Sequence, residues 1–147
     1  MTIKDIIIFD LDGTLALVDH RRHLVEGKNK DFTAFNAACV DDLPNLPIIA
    51  INQAMYQTHI TWIFSGRHEK HYDETVLWLK ENGVRWNYLK MRPADKHSMP
   101  DKDLKREWLH EHGIKDRVLF MIDDRQRVVN MWREEGLTCL QVAPGNF

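Results

Sequence analysis

The chain has 147 residues, about the length of one average domain and enough to bury a core of its own, so we expect a single domain over residues 1–147. Its 20 basic and 22 acidic residues give a formal charge of −2, which excludes a global basic surface, so any contact with nucleic acid has to be local. The first apolar run starts too soon after Met1 to leave room for a signal peptide, and no run approaches membrane-spanning length, which predicts a cytoplasmic protein.

The chain begins with an apolar run that ends in two carboxylates. Residues 6–9 are Ile-Ile-Ile-Phe, and Asp10, Asp12, Gly13 and Thr14 follow them. An unbroken aliphatic run predicts a buried parallel strand, and ligands of open α/β sheets bind where such strands end. Two like charges one residue apart need a cation or a shared proton, and hard oxygen ligands suit Mg²⁺. A strand cap or a calcium loop is the alternative interpretation of this acidic turn.

The rest of the chain alternates predicted helices and strands, which is typical of βαβ units in an α/β fold with a parallel sheet. On the first helix Phe32, Phe35, Ala38 and Cys39 fall on one face, and Asp31 can cap its start. A break is predicted at residues 42–47. The predicted helices span residues 31–39, 47–56, 72–82, 101–112 and 126–135, and the predicted strands after the first span residues 60–64, 88–91, 118–122 and 138–142.

Three of the predicted strands end in polar groups. The opening strand is followed by the acidic turn, the strand at residues 60–64 by Ser65 and Gly66, and the strand at residues 118–122 by Asp123 and Asp124. Because the carboxyl ends of parallel strands share one edge of the sheet, these groups are expected to converge. The hydroxyl and backbone N–H groups after the second of these strands suit a phosphate. Taken one at a time, the alternatives are an ordinary turn and a helix cap.

The turn Asp10-x-Asp12-Gly13-Thr14 resembles the first motif of the haloacid dehalogenase (HAD) superfamily of phosphotransferases. The resemblance implies that Asp10 is a nucleophile that becomes an aspartyl-phosphate and that Asp12 is the general acid and base. It implies a three-layer Rossmann-like parallel sheet of HAD type. The stretch between the first two motifs leaves room for a small helical cover at about residues 16–45 and for no large cap domain.

The other HAD motifs have counterparts farther along the chain. Ser65 resembles the second motif, which binds the transferring phosphate. Asp123 and Asp124 resemble the fourth motif. Its acids, together with the two acids of the first motif, complete the ligand shell of Mg²⁺. The third motif is a lysine, for which Lys102 and Lys105 are the candidates.

The segment from residue 91 to residue 147 gives a closer resemblance, to the phosphatase domain of phage polynucleotide kinase/phosphatase. The matching stretches are Met91-Arg92-Pro93, Asp101-x-x-x-Lys105 with Trp108-Leu109, Phe120 to Arg125, Val128 to Arg133, and the ending Gln141 to Phe147. This resemblance implies that the third-motif lysine is Lys105, paired one turn away with Asp101. Ordinary surface decoration of a helix is the alternative for such an i,i+4 pair.

The same resemblance implies that two arginines contact the phosphate. Arg21 stands nine residues after Asp12, and Arg67 follows Ser65-Gly66. Bidentate guanidinium geometry suits a phosphate. Arg22 is the alternative to Arg21, because a slip of one residue is easy in a loop.

The sequence has no Gly-x-x-x-x-Gly-Lys-Ser/Thr loop that would cradle the phosphates of ATP. Cys39 and Cys139 are far apart and are expected to be reduced core thiols. The expected activity is a Mg²⁺-dependent phosphomonoesterase that removes 3′-phosphates from DNA or RNA ends through an aspartyl-phosphate. The alternatives are a 5′(3′)-deoxyribonucleotidase or another small-molecule HAD phosphatase and, from another class, a non-catalytic phosphate- or nucleic-acid-binding module. A two-component receiver is disfavoured because its phosphoacceptor Asp ends a middle strand, where this chain has Ser65.

Overall fold

The structure is a computed structural model that describes residues 2–146. Its strands and helices alternate along most of the chain, as the sequence predicted. In chain order they are β1 (Ile6–Phe9), β2 (Ala16–Leu17), α1 (Phe32–Ala37), β3 (Leu43–Pro44), α2 (Leu46–Tyr56), β4 (Ile60–His68), α3 (Tyr72–Glu81), β5 (Tyr88–Arg92), α4 (Asp101–Glu111), β6 (Val118–Asp123), α5 (Gln126–Glu134) and β7 (Cys139–Gln141).

Five of these strands form one parallel sheet in the order β5-β4-β1-β6-β7. β1 lies at the centre, with β4 on one side and β6 on the other. The carboxyl ends of these three strands therefore lie side by side at the middle of one edge, where open α/β sheets bind their ligands. The predicted α/β class with a parallel sheet is confirmed.

The aliphatic run of β1 is buried on both faces of the sheet. Ile6 and Ile8 belong to an apolar core beneath α4 and α5. Ile7 and Phe9 belong to a second core beneath α2 and α3. Successive side chains of a strand point to opposite faces, so a strand covered by helices on both sides has no polar position. The two cores make the sheet the middle one of three layers.

Residues 16–44 form a cover segment between β1 and α2. β2 and β3 pair antiparallel and close the segment at its base. Asp31 caps α1 because its side chain accepts a hydrogen bond from the backbone N–H of Ala34, as the sequence predicted. Val18, Val25 and Phe35 form a small apolar core inside the segment. The segment thus has an apolar cluster of its own, apart from the two cores of the sheet.

Two details of the fold differ from the sequence prediction. β4 was expected to end at Phe64, but it continues through Ser65 to His68 because its last residues pair with β5 across a register shift. Leu43 and Pro44 were expected to lie in a break, and they pair with β2 instead. Both differences come from strand partners that are distant in sequence.

Both cysteines of the chain are buried and free. None of the helices in residues 2–146 combines the length and the apolarity that crossing a membrane requires. Phe147, the last residue of the segment that carried the closer resemblance, lies outside the described residues.

Candidate active site

A cavity of about 960 Å³ opens at the carboxyl edge of the sheet, beside the cover segment. Most of the residues predicted for a functional site line it. From the predicted set these are Asp10, Asp12, Gly66, Arg67, Asp101, Lys105, Asp123 and Asp124. Residues spread over more than a hundred positions therefore meet at one place, as the strand ends predicted.

Three carboxylates form a compact cluster in this cavity. Asp10, Asp123 and Asp124 are buried, and each offers an oxygen within 4.8 Å of the others. Oδ2 of Asp124 is buried and has no hydrogen-bond partner among the described residues. Hard oxygen ligands in this arrangement fit a divalent cation such as Mg²⁺, which would use the unpartnered oxygen.

Asp12 is not part of this carboxylate cluster, and its role as a metal ligand stays a prediction. That prediction assumed an extended chain from Asp10 to Asp12. β1 ends at Phe9, however, and the chain then turns, with the N–H of Gly13 bonded to the carbonyl of Ala16 at 2.8 Å. The carboxylate of Asp12 therefore points to arginines instead of to the other acids.

Gly13 and Thr14 fix the shape of this turn. Gly13 has a φ of +84°, and a Cβ there would lie 2.0 Å from Oδ2 of Asp124. Only glycine combines the left-handed backbone with this close approach. The hydroxyl of Thr14 donates to Oδ2 of Asp10 at 3.0 Å. The Gly-Thr pair thus brings the acid after β1 and the acid after β6 together.

Lys105 neutralises two acids of the cluster. Its Nζ donates to Oδ1 of Asp10 at 2.7 Å and to Oδ2 of Asp123 at 3.0 Å. Burial opposes its charge, but the carboxylates outweigh burial and raise the pKa of Lys105 above its usual value. Lys102, the alternative for this role, is exposed one turn earlier on α4. Lys105 is therefore the lysine that the fold brings to the acids.

Asp101 forms no hydrogen bond to Lys105 in the described part of the chain, but its charge is among those that raise the pKa of Lys105, and the pairing of the two residues stays a prediction. Its carboxylate accepts from Nη2 of Arg92 and, at 2.8 Å, from Nη1 of Arg125. Gly66 lies against it, since a Cβ on Gly66 would be 2.5 Å from Oδ1 of Asp101. The aspartate holds two arginines at the cavity wall, a role that the resemblance did not include.

Two arginines donate hydrogen bonds to the carboxylate of Asp12. Arg67 donates to Oδ1 of Asp12 from Nε at 2.9 Å and from Nη2 at 2.7 Å, and Arg21 donates to the same oxygen at 2.6 Å. Burial alone would raise the pKa of Asp12, but Arg67 and Arg21 outweigh it and lower that pKa to about 2. In the free protein Asp12 is therefore an ionised carboxylate near neutral pH.

Arg21 is fully buried and is not among the residues that line the cavity, and its contact with the phosphate stays a prediction. Its Nε and Nη2 donate to Asp42, and its Nη1 donates to the carbonyl of Phe35 at 2.9 Å. Its guanidinium also lies 4.1 Å from the centre of the Phe35 ring. Arg22, the alternative, pairs with Asp19 at 3.7 Å and is not among the residues that line the cavity. Arg67 remains as the predicted arginine that lines the cavity.

Ser65 is not among the residues that line the cavity, and the binding of a phosphate by its hydroxyl stays a prediction. It is fully buried, and its Oγ accepts the backbone N–H of Arg67 at 3.2 Å. The physical reason is that β4 continues past Ser65, so that this side chain remains inside the strand. Gly66 and Arg67 are the residues of this motif that line the cavity.

Asp42 is the residue of this network that sequence reasoning missed. Its side chain is completely buried and accepts hydrogen bonds from Arg21 at 2.6 and 2.7 Å and from Arg67 at 3.0 Å. Nε2 of His20 lies 2.7 Å from its Oδ1. Its carbonyl accepts Nε1 of Trp78 at 2.9 Å, which ties the cover segment to α3. Asp42 stood in a predicted break, where an acid attracts no attention. Only the burial of two arginines shows that a counter-charge is required.

We expect Asp42→Asn to destabilise the protein by about 3 kcal/mol, because removing one partner of a buried ion pair typically costs about 3–5 kcal/mol and the amide keeps part of the hydrogen bonding. The rate of the expected phosphomonoesterase reaction should also fall, since Arg67 loses one of the two carboxylates that position it. Denaturant unfolding measures the first effect. The exposed neighbour Asp41 supplies the matched control, Asp41→Asn. Equal unfolding midpoints for the two variants would contradict this account of Asp42.

We expect the metal-free protein to lose stability as the pH rises from about 4 to about 6. Burial and the adjacent Asp123 raise the pKa of Asp124 from 3.8 to about 6, so the folded state holds a proton that the unfolded state has released. Above pH 6 the loss in the free energy of unfolding is complete. It amounts to about 3 kcal/mol, at roughly 1.4 kcal/mol per unit of pKa. Asp124→Asn should reduce this loss, and the part that remains belongs to Asp10, whose pKa burial also raises.

The measurement is unfolding in EDTA at pH 4 and pH 7 for the wild type, Asp124→Asn and the exposed control Asp116→Asn. The control should follow the wild type. An identical pH dependence of stability in all three proteins would refute the raised pKa of Asp124.

The fold and the acidic cluster define the class to which the protein belongs. A haloacid dehalogenase-like hydrolase from Streptococcus pneumoniae is similar with a TM-score of 0.63 and 13% sequence identity, over 93% of this chain and 83% of that chain. A HAD family enzyme from Bacteroides thetaiotaomicron, in a complex with magnesium and inorganic phosphate, is similar with a TM-score of 0.58 and 13% identity, over 99% of this chain and 96% of that chain. At these identities the likeness shows the fold alone, which is that of the HAD hydrolases.

A sequence profile of the polynucleotide kinase PNKP phosphatase domain matches residues 4–147, and the chain belongs to this family of HAD-type phosphatases. A chain of the Pnkp1/Rnl/Hen1 RNA repair complex and a chain of a second Pnkp1/Rnl/Hen1 complex are each 30% identical to this protein. The TM-scores are 0.81 over 97% of this chain and 0.83 over all of it. The protein spans only 44% and 48% of the lengths of those two chains.

Proposed function

We propose that the protein is a Mg²⁺-dependent phosphomonoesterase that removes 3′-phosphates from DNA or RNA ends through an aspartyl-phosphate on Asp10. The observation that carries this proposal is the position of Asp10, which lies in the cavity with Lys105 at 2.7 Å and with Asp123 and Asp124 beside it. A carboxylate so placed can attack phosphorus while the neighbouring charges offset those of the phosphate.

Asp10, Asp123 and Asp124 would hold the Mg²⁺ ion. The fit rests on their close carboxylate oxygens and on the buried, unpartnered Oδ2 of Asp124. When bound, the ion would polarise the phosphoryl oxygens and offset the charge that develops in the transition state. Burial and Asp123 raise the pKa of Asp10 well above its usual value, whereas Lys105 lowers it and so favours the ionised nucleophile.

The first step breaks the ester bond. A carboxylate oxygen of Asp10 forms a bond to phosphorus as the bond from phosphorus to the sugar oxygen breaks, and Asp12 gives that oxygen its proton. Asp12 can be protonated for this step only when its pairing with Arg67 and Arg21 weakens. A phosphate bound in the cavity competes for the same guanidinium, because Arg67 also lines the cavity.

The second step releases the phosphate. Asp12, again a carboxylate, takes a proton from a water molecule that attacks the aspartyl-phosphate, and Asp10 leaves as the free carboxylate. The low pKa of Asp12 in the free protein suits this return to the ionised form. Lys105 stays bonded to Asp10 through both steps and balances the charge that moves onto it.

A nucleic acid end is the substrate that the site favours. The cover segment leaves a cavity of about 960 Å³ that is open to solvent, which suits a large substrate better than an enclosed metabolite site would. The family and the RNA repair complex that contains a 30% identical chain support the same choice. A free deoxynucleotide would also fit this volume, so a deoxyribonucleotidase is the second candidate.

The experiment compares four substrates at fixed salt: a 3′-phosphorylated oligonucleotide, its 5′-phosphorylated counterpart, a 3′-dNMP and a 5′-dNMP. We expect the highest kcat/KM for the 3′-phosphorylated oligonucleotide. Faster turnover of 5′-dNMP would favour the deoxyribonucleotidase instead. Failure to hydrolyse all four substrates and a generic aryl phosphate would leave a binding module.

Metal removal gives a separate prediction. Activity should vanish in EDTA and return with added Mg²⁺, because the three clustered carboxylates repel one another and the phosphate without a cation. Asp123→Ala should weaken both the apparent affinity for Mg²⁺ and the rate. Undiminished hydrolysis in carefully metal-depleted buffer would contradict the metal assignment.

A further inference from the structure

The cavity extends well beyond the place where a phosphate would react. Its volume of about 960 Å³ is at the upper end of the roughly 300–1,000 Å³ typical of small-molecule sites. The lining residues Asp10, Arg67 and Lys105 are buried and mark its inner end, where a phosphate would react. The exposed residues Phe32 and Thr33 mark its mouth. The mouth has room for a much larger group than phosphate.

Phe32 is the notable residue of this mouth. Ten large apolar residues are exposed in residues 2–146, and Phe32 alone among them lines the cavity. Helical periodicity placed it on one face with Phe35, but Phe35 is buried against Arg21 whereas Phe32 is 50% exposed. An exposed aromatic ring at a binding cavity offers a flat surface on which another ring can stack.

Other residues of the cavity lining complement the polar and charged groups of a nucleotide. Thr33 and Asn36 of α1 also line the cavity, and their side chains make no hydrogen bond to other residues in the described part of the chain. Lys102 and Arg127 are exposed residues of the same lining, and within residues 2–146 neither forms an ion pair. An aromatic ring, free amide and hydroxyl groups and two cations complement a base, its polar edge and a phosphodiester.

We infer that the mouth of the cavity is a subsite for the 3′-terminal nucleoside, whose base stacks on Phe32 while the preceding phosphodiester meets Lys102 and Arg127. The inference rests on the proposed function and adds to it the group that the enzyme recognises besides the phosphate. Stacking is tolerant of sequence because every base has a flat face, so the subsite should serve all four bases.

The test combines a change in the protein with a change in the substrate. Two oligonucleotides carry the same 3′-phosphate, one on a normal terminal nucleotide and the other on an abasic one. The measured quantity is the kcat/KM for the normal terminus divided by the kcat/KM for the abasic terminus. Phe32→Leu should lower this ratio about 5- to 150-fold, the range that corresponds to one stacked base. Phe32→Trp should restore it.

A matched control comes from the same cover segment. Val40 is also exposed but lies outside the cavity lining, so Val40→Ala should leave the ratio unchanged. A fall in kcat/KM that is equal for the two substrates in Phe32→Leu would overturn the stacking contact. A wild type that does not prefer the normal terminus would overturn the subsite while 3′-phosphatase activity stands. A wild type inactive on both oligonucleotides would overturn the proposed function and the subsite with it.

The cations of the mouth give an independent measurement. Each phosphate contact contributes roughly −0.7 to −0.9 to the slope of log affinity against log salt. The double variant Lys102→Ala/Arg127→Ala should therefore reduce the salt dependence of KM for an oligonucleotide and leave that for a nucleoside 3′-phosphate unchanged. The same salt slope in the variant and the wild type would remove the phosphodiester from the subsite.

Discussion

Asp10→Asn should reduce turnover by roughly 10⁴-fold or more, because it removes the nucleophile and nucleophile deletions elsewhere have effects of this size. The amide has nearly the volume of the carboxylate and keeps an oxygen for Lys105, which lies 2.7 Å from Oδ1 of Asp10. The fold should therefore survive. Steady-state hydrolysis of a 3′-phosphorylated oligonucleotide measures the loss.

A covalent intermediate can be sought in the same proteins. Acid-quenched wild type should carry phosphorus from a labelled substrate in a form that hydroxylamine releases, as expected for an acyl phosphate, and Asp10→Asn should carry none. Asp116→Asn changes an exposed acid away from the cavity and should behave as the wild type. More than a trace of turnover in Asp10→Asn would assign the nucleophile to another residue.

Lys105→Met should harm both stability and activity. The ammonium group is buried between Asp10 and Asp123, so its loss leaves two buried carboxylates without their cation. Removing one partner from a buried ion pair costs about 3–5 kcal/mol, and losing one charge-stabilising donor typically lowers kcat by about 10²- to 10³-fold. The stability deficit should shrink at low pH, where protonation of the carboxylates relieves their repulsion.

Denaturant unfolding of metal-free protein at pH 5 and pH 8 measures the stability effect. Lys102→Met is the matched control, since Lys102 is exposed on the same helix and forms no ion pair in residues 2–146. Surface changes of this kind usually alter stability by less than about 0.5 kcal/mol. Should Lys105→Met unfold at the same denaturant concentration as Lys102→Met, the buried lysine would not be holding the acids together.

The features that the sequence predicted well are local in origin. The run Ile6–Phe9 is apolar at every position, which requires a strand covered on both faces and so a parallel sheet. Once the sheet is parallel, the acids after β1 and after β6 have to meet at one edge. The cap of α1 by Asp31 follows from the residue type that precedes the helix.

The features that the sequence could not predict depend on partners distant along the chain. Ser65 is buried because β4 continues to pair with β5, and no property of the Ser-Gly-Arg stretch reveals that pairing. Arg21 is buried because Asp42, 21 residues later, supplies a counter-charge within the cover segment. In both cases a polar residue was correctly placed near the site, but its neighbours, and so its role, came from tertiary packing.

A single substrate can measure the preference for a 3′-phosphate over a 5′-phosphate. An oligonucleotide that carries a phosphate at both ends offers the two esters at equal concentration, in the same buffer and on the same molecule. Mass spectrometry of the products at low conversion shows which end was hydrolysed first. We expect the wild type to form a 5′-phosphorylated product with a free 3′-hydroxyl, and we expect Asp10→Asn not to form it. Early formation of the 3′-phosphorylated product with a free 5′-hydroxyl would contradict it.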